Sequence, residues 1–299
     1  ERQGFDLFYG YYNQWHAHTY YTHLFRNSKK VELNGRYTHH AIFDETIKFI
    51  KKNKDKPFFL YCPWTPPHAA YQIPEDEPAW KMYKDKPWPH DARVAAAMDT
   101  MMDRHVGEIT ALLKKLGIYQ NTLMFFTSDN GAAKRFDGIH NSSGVMQGKK
   151  RSLNEGGIRV PMVVRWPGKI KAGRVSSHPW YFPDVMPTFA EIGGVSTEVP
   201  QDIDGISILP TLLDKGVQKQ HEYMFWQYGV RAVRSGKWKG IGKGGHLYLY
   251  DLSKDIEEKN DLSSKHPEIA ARMKKYITIG YREPRSQKDD GKYTGKDKK

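Results

Sequence analysis

Thr122-Leu123-Met124-Phe125-Phe126-Thr127-Ser128-Asp129-Asn130-Gly131 is the stretch whose reading decides the fold. Its first six residues are apolar or β-branched without polar alternation, which predicts a strand buried on both faces, as in a parallel sheet. The run stops on Ser-Asp-Asn-Gly, a polar turn. A second continuous run, Pro57-Phe58-Phe59-Leu60-Tyr61-Cys62, predicts another buried parallel strand. A third, from Ile158 to Trp166, contains Pro161, which cannot donate to a ladder and so places that strand near an edge. Helical periods lie between them. Ile42, Thr46, Phe49 and Ile50 share one face over 37–52, and Val94, Met98, Met101, Val106, Ile109 and Leu113 recur over 91–116, where Gly117 ends the helix. Strand alternating with helix predicts an α/β fold: a mainly parallel sheet flanked by helices.

Further out the pattern changes. Residues 5–26 are rich in Tyr, Phe and Trp and read as an irregular, packed aromatic layer. The Pro- and Trp-rich stretch 63–90 reads as a long loop, a type that often carries function. A helix is expected over 184–192 with Asp184 as its cap. Beyond Pro200, short alternating runs at 230–239 and 246–252, separated by glycines, predict a small antiparallel sheet, and a last helix is expected over 267–277. The expected organisation is an α/β domain over 1–200, a C-terminal subdomain over 201–281, and a disordered charged tail over 282–299.

The 299 residues carry 47 Lys+Arg against 34 Asp+Glu, a net +13. The tail contributes +3 of this, so the folded part is itself basic, and a polyanionic partner is expected. No nucleic-acid-binding motif accompanies the charge, so nucleic acid is set aside. No apolar run of 18 residues exists, so no membrane span is expected. One cysteine, Cys62, excludes an intrachain disulfide and a Cys-rich zinc site.

Asp129 and Asn130 offer one charged and one neutral hard oxygen at a strand end, where α/β folds collect ligands. That pair suits Ca²⁺ or Mg²⁺ better than zinc, although Asn-Gly is also an ordinary turn signal. Lys149-Lys150-Arg151 precedes Glu155-Gly156-Gly157, and such a loop can hold a tetrahedral anion or simply face water. His68 follows the 57–62 run. His140 lies in the loop after the Asp-Asn pair and could approach it. His16 and His18, two apart, would share a face on an extended chain and read as structural or substrate-facing.

Together, Ser128-Asp129-Asn130-Gly131, then Lys150, then Glu155-Gly156-Gly157-Ile158-Arg159-Val160-Pro161 resemble the type I sulfatase family, the arylsulfatase A-like branch of the alkaline phosphatase superfamily. Gly4-Phe5-Asp6-Leu7-Phe8-Tyr9-Gly10, Pro67-His68, Asp184-Val185-Met186-Pro187-Thr188, Asp204-Gly205-Ile206-Ser207 and Tyr250-Asp251-Leu252-Ser253-Lys254-Asp255 extend the likeness along most of the chain. The resemblance implies an alkaline phosphatase-like fold and hydrolysis of sulfate esters, sulfated carbohydrate ahead of small aryl sulfates. It implies Ca²⁺, ahead of Mg²⁺, on Asp129 and Asn130. Lys150 and His68 would contact the sulfate and aid departure of the leaving group, with His140 near the substrate. It also implies a periplasmic or secreted protein, and specificity set by loops 63–90 and 132–149 and by the C-terminal subdomain.

The family's nucleophile is a formylglycine made in a C-x-P-S-R-type motif. Cys62-Pro63-Trp64-Thr65-Pro66 lacks the Ser-Arg, and no serine version is present. The expectation is therefore of a family member lacking its N-terminal third, with formylglycine in the missing segment and no turnover by this chain alone. The alternatives are a phosphatase or phosphodiesterase of the same superfamily, which Asn130 in place of a zinc-binding His argues against, and a non-catalytic polyanion-binding module.

Overall fold

The computed structural model describes residues 4–283, so the tail expected over 282–299 falls, beyond Glu283, outside the described residues. The chain divides into two compact units that meet between Thr122 and Leu123. The boundary expected near residue 200 lies inside the second.

The first unit opens with three short strands, β1 (Tyr9–Gly10), β2 (Leu24–Arg26) and β3 (Lys29–Val31), paired antiparallel in that order where the sequence reading expects irregular chain. Arg26 pairs with Lys29, so Asn27-Ser28 forms a two-residue hairpin loop. Asn27 takes a left-handed φ of 52°, which Asn tolerates, and its Oδ1 accepts the Phe8 amide at 2.8 Å. Three helices follow, α1 (Thr38–Asn53), α2 (Pro78–Tyr83) and α3 (His90–Lys115). α1 and α3 match their expected periods within two residues. α2 falls in the stretch read as loop. Its six residues are too short for a periodic signal, but Pro78 begins it and the Glu77 carboxylate caps the Ala79 amide. Tyr20, Tyr37, Trp80, Val94, Met98 and Met101 form the core of this unit.

Residues 57–62 make no strand ladder, contrary to the buried parallel strand expected there. Phe58, Leu60 and Cys62 are half-buried, while Phe59 and Tyr61 are 57% and 67% exposed. The segment alternates between two environments, although its side chains are apolar throughout.

The second unit pairs β4 (Met124–Thr127) antiparallel with β5 (Met162–Arg165), Phe125 opposite Val164. Every strand pair among the described residues is antiparallel, so the mainly parallel sheet is not what these residues build. β5 begins later than the expected third strand because Glu155–Ile158 forms a short helix, α4, and Pro161, lacking an N–H, directly precedes the ladder. Helices α5 (Val185–Ile192) and α6 (Leu209–Leu213) follow. Asp184 does not cap α5. Its buried carboxylate instead accepts the amides of Tyr181 (3.0 Å) and Ile206 (2.8 Å) and lies 2.9 Å from His221 Nε2.

The expected C-terminal sheet is present with four strands where two runs were foreseen: β6 (Met224–Tyr228), β7 (Val230–Ser235), β8 (Trp238–Lys243) and β9 (His246–Asp251), antiparallel in sequence order. Its two faces differ, as period-2 geometry requires. Val233, Leu247 and Leu249 pack on Met273 and Tyr276 of α7 (Pro267–Ile279). Ala232, Ile241 and Tyr250 pack on Leu153 and Ile158, which bracket the Gly156-Gly157 pair. The sheet is thus a wall against which the candidate site is built.

One buried polar pair stands out in the first unit. His39 Nε2 lies 3.0 Å from His105 Nδ1, and both residues are buried. His40 and Arg104 flank them, both on Glu77, with His40 Nε2 3.0 Å and Arg104 Nη2 2.9 Å from its carboxylate. Burial first, then the charges of Arg104 and His40, push the His105 imidazole down to about 4, with Glu77 and Asp44 opposing. His39 is held well below its ordinary value by burial, then by His105, His40 and Arg104. The folded state therefore keeps these rings neutral where the unfolded chain binds protons. Their contribution is present above pH 6.5 and is lost as pH falls from there toward about 4, on the order of 3 kcal/mol for His105. Urea titrations at stepped pH should show this decline, and His105→Gln should flatten it.

Candidate functional site

β4 delivers Ser128-Asp129-Asn130-Gly131 at its end. Ser128 Oγ donates to the Asn130 carbonyl at 3.1 Å, and Asn130 Nδ2 donates to Asp129 Oδ1 at 2.9 Å. The amide nitrogen therefore faces the carboxylate, and both side chains stand at the rim, Asp129 exposed and Asn130 half-buried. A turn and a pair of oxygen donors were alternatives in the sequence. The geometry shows the turn, with the Asp129 carboxylate and the Asn130 amide bonded to each other at its rim.

Backbone hydrogen bonds join this turn to the basic loop. Gly131 N donates to Gly157 O at 2.9 Å, and Lys150 N donates to Ala132 O at 2.8 Å. Lys150 is thereby brought to the Asp129-Asn130 end of β4. Its ammonium has no hydrogen-bond or ion-pair partner among the described residues, whereas Lys149 is paired with Asp137. Glycine is required by close approach. A Cβ on Gly131 would overlap the Gly156 carbonyl, and one on Gly157 would overlap those of Ser152 and Lys149. Next to this junction is a cavity of about 360 Å³, lined by residues including Ala132, Phe136, Asp137, Asn141 and Lys149.

A buried ion cluster holds the junction from behind. Lys239 of β8 is 0% exposed. Its ammonium donates to Glu155 Oε1 at 2.8 Å and makes an ionic contact with Glu258 Oε1 at 3.0 Å. Glu258 Oε2 accepts the Glu155 amide at 2.7 Å, at the first residue of α4. Burial raises the Glu258 carboxyl above its ordinary range against the pull of Lys239. The sequence reading missed this cluster. The available signal was a lysine at the same strand parity as the inward Ile241.

His68 belongs to the first unit. Its Nδ1 lies 2.7 Å from the Ala69 carbonyl, which can only accept, so Nδ1 carries the proton and Nε2 is the edge left for a ligand. The His68 carbonyl accepts the hydroxyl of fully buried Tyr20 at 3.0 Å, and the Tyr20 amide donates to Gln72 Oε1. His16 and His18 do not share a face, because His16–His18 forms a 3₁₀ turn. The His18 ring stacks on His68 (4.8 Å, 10°), while His16 lies against His23 at 4.3 Å. In the second unit, the His140 ring stacks on Phe136 of its own turn at 5.3 Å. Burial pushes the Cys62 thiol up, and its sulfur lies 3.7 Å from Thr46 Oγ1, an environment opposed to a thiolate nucleophile.

The model of the family described as Sulfatase matches residues 1–195, and that described as N-sulphoglucosamine sulphohydrolase, C-terminal, matches residues 147–280. The chain belongs to the sulfatase family, with its α/β, alkaline phosphatase-like fold. Mouse steryl-sulfatase is 33% identical over 211 residues, covering 66% of this chain and 32% of that protein. The uncharacterized sulfatase YdeN of Escherichia coli is 32% identical over 235 residues (76% and 40%). The N-acetylgalactosamine-6-O-sulfatase of Bacteroides thetaiotaomicron is 29% identical over 267 residues (79% and 49%). The chain thus spans about a third to a half of the length of these relatives. Among solved structures, Ps i-CgsB superposes with a TM-score of 0.75 at 30% identity, covering 87% of this chain and 58% of that one.

The ion cluster and the glycine junction make separable predictions. Lys239→Met takes the buried cation from Glu258 and leaves Glu155 with only Arg159 at 3.5 Å, and should destabilise the protein by about 3–5 kcal/mol in chemical denaturation. Adding Glu155→Gln and Glu258→Gln should recover part of that loss. Gly131→Ala should cost about 1–3 kcal/mol, because the α4 turn must move to admit the methyl group.

Proposed function

We propose that this chain supplies the oxygen-donor and lysine part of a sulfatase active site that hydrolyses sulfate esters of carbohydrates. The observation that carries the reading is the junction in which backbone hydrogen bonds, Lys150 N to Ala132 O and Gly131 N to Gly157 O, bring the basic loop to the end of β4, with the Lys150 ammonium unpaired among the described residues. Lys150 binds a sulfate oxygen and counters charge that grows on the bridging oxygen. His68, with its proton held on Nδ1, keeps Nε2 as the edge for a sulfate ester and would assist its leaving group. His140 contacts the substrate from the loop beside the cavity.

Asp129 and Asn130 are oxygen donors of the type Ca²⁺ prefers, Mg²⁺ being the second choice, and they account for two of its six to eight ligands. Among the described residues no group of three or more His, Cys, Asp or Glu converges on a metal position, so the two fit the ion in kind and not in number. When bound, the cation would supply positive charge to the sulfate. None of the 299 residues forms a C-x-P-S-R-type motif or a serine counterpart, so no nucleophile is assigned here and no turnover is expected of the chain alone. Formylglycine would be supplied by sequence outside these 299 residues.

Sulfated carbohydrate as substrate is supported by the name of the Bacteroides relative and by the crystal structure described as Ps i-CgsB in complex with k-i-k-neocarrahexaose. The net charge of +13 is consistent with an anionic glycan. With such a substrate the protein is read as periplasmic or secreted, which fractionation would test. No helix of the described residues is long and apolar enough to cross a membrane.

The decisive experiment uses the whole protein that contains this chain, assayed on sulfated glycans, a steryl sulfate and a phosphodiester. Lys150→Ala should lower kcat on the sulfated glycan by about 10²–10³-fold. Asp129→Ala should remove bound Ca²⁺ in equilibrium dialysis as well as activity. Unchanged rates in Lys150→Ala, or a preference for the phosphodiester, would overturn the proposal.

A further inference from the structure

Trp15 is 61% exposed, an unusual position for the largest apolar side chain. Its backbone belongs to a hydrogen-bonded turn. Asn13 Oδ1 accepts the His16 amide at 2.9 Å, Asn13 O accepts the Ala17 amide at 3.2 Å, and Trp15 O accepts the His18 amide at 3.1 Å, so residues 13–18 form an internally bonded turn. The indole meets the His18 ring edge-on (5.6 Å, 67°), and His18 in turn stacks flat on His68. The His18 carbonyl accepts the Ala70 amide at 3.2 Å, which ties this turn to the His68 loop at the backbone as well. Three rings therefore run in contact from His68 to an exposed indole that rests edge-on against His18.

We propose that Trp15 is a carbohydrate-stacking platform that binds a pyranose ring of a sulfated oligosaccharide next to the unit engaged by His68. The proposal rests on the reading of His68 as a substrate-facing residue. An indole face accepts the apolar C–H face of a sugar irrespective of its sulfation. A platform whose backbone is already bonded in a turn and whose indole has a ring partner in His18 has little backbone to order on binding, which favours affinity. The division of labour is specific: Trp15 recognises the sugar ring, and Lys150 recognises the sulfate.

Calorimetric titration of the whole protein with a sulfated galactan hexasaccharide and with its chemically desulfated counterpart tests this. Trp15→Ala should weaken both by about tenfold and leave the ratio of the two affinities unchanged, with Trp15→Phe retaining most of the binding. Lys150→Ala should weaken only the sulfated ligand. A Trp15→Ala protein with a wild-type thermal midpoint that binds both hexasaccharides like wild type would overturn the platform. So would a wild-type protein that binds neither, or a loss confined to the sulfated ligand. If Trp15→Ala weakens both while Lys150→Ala changes neither, the platform stands and the sulfate-binding reading of Lys150 falls.

Discussion

Lys239 carries a positive charge where water does not reach, and two carboxylates from distant parts of the sequence surround it. Neither Glu155 nor Glu258 would be tolerable there alone, nor would the lysine, because each isolated charge would lose its hydration without compensation. Together, with Arg159 3.5 Å from Glu155 Oε2 as a second cation, they compensate one another's charge and dock the first turn of α4 on the face of β8. The Gly156-Gly157 pair is held at that turn. Gly131 can then reach Gly157, and Lys150 can reach Ala132. The position of the candidate sulfate-binding lysine thus traces back to an ion cluster that touches no substrate. Hydrophobic contacts of Leu153 and Ile158 with the sheet reinforce the same docking, but the charges give it direction.

The first unit uses a different device. Its aromatic layer is fixed by hydroxyls rather than by charges. Tyr20 donates to the His68 carbonyl, and Tyr37 donates to the Gln72 carbonyl at 2.8 Å. These bonds satisfy buried phenols and set the path of the loop that bears His68. The Ala69 carbonyl then selects the imidazole tautomer. A residue that looked like a lone loop histidine is constrained in position, in stacking partner and in protonated edge.

Several features were legible from residue pattern alone. The 3.6-residue periods of α1 and α3, the alternation and glycines of the C-terminal sheet, and α7 all emerged where expected, because each depends on neighbours close in sequence. The order of Asp129-Asn130, Lys150 and Glu155-Gly156-Gly157 identified the family. The failures share a cause. Residues 57–62 read as a buried strand, yet ladder formation depends on a partner that composition does not reveal. Asp184 has the right type and place for a helix cap, but its carboxylate is occupied by amides 3 and 22 residues away. His16 and His18 parted because a 3₁₀ turn replaced the extended chain on which their spacing was judged.

The sequence by itself determined the chemistry available: hard oxygen donors at a strand end, a cationic loop with glycines after it, a histidine after an apolar run, one cysteine with the wrong neighbours, and a basic surface. These are properties of residue type and short spacing. Only the tertiary structure decided which of them act together. Backbone contacts across about 20 residues joined Lys150 to the Asp-Asn turn, and the charges 84 and 103 residues from Glu155 set the turn behind it. Such contacts are invisible along the chain because they are selected by the burial of charge and by the exclusion of side chains at glycine, both of which arise only after distant segments have packed.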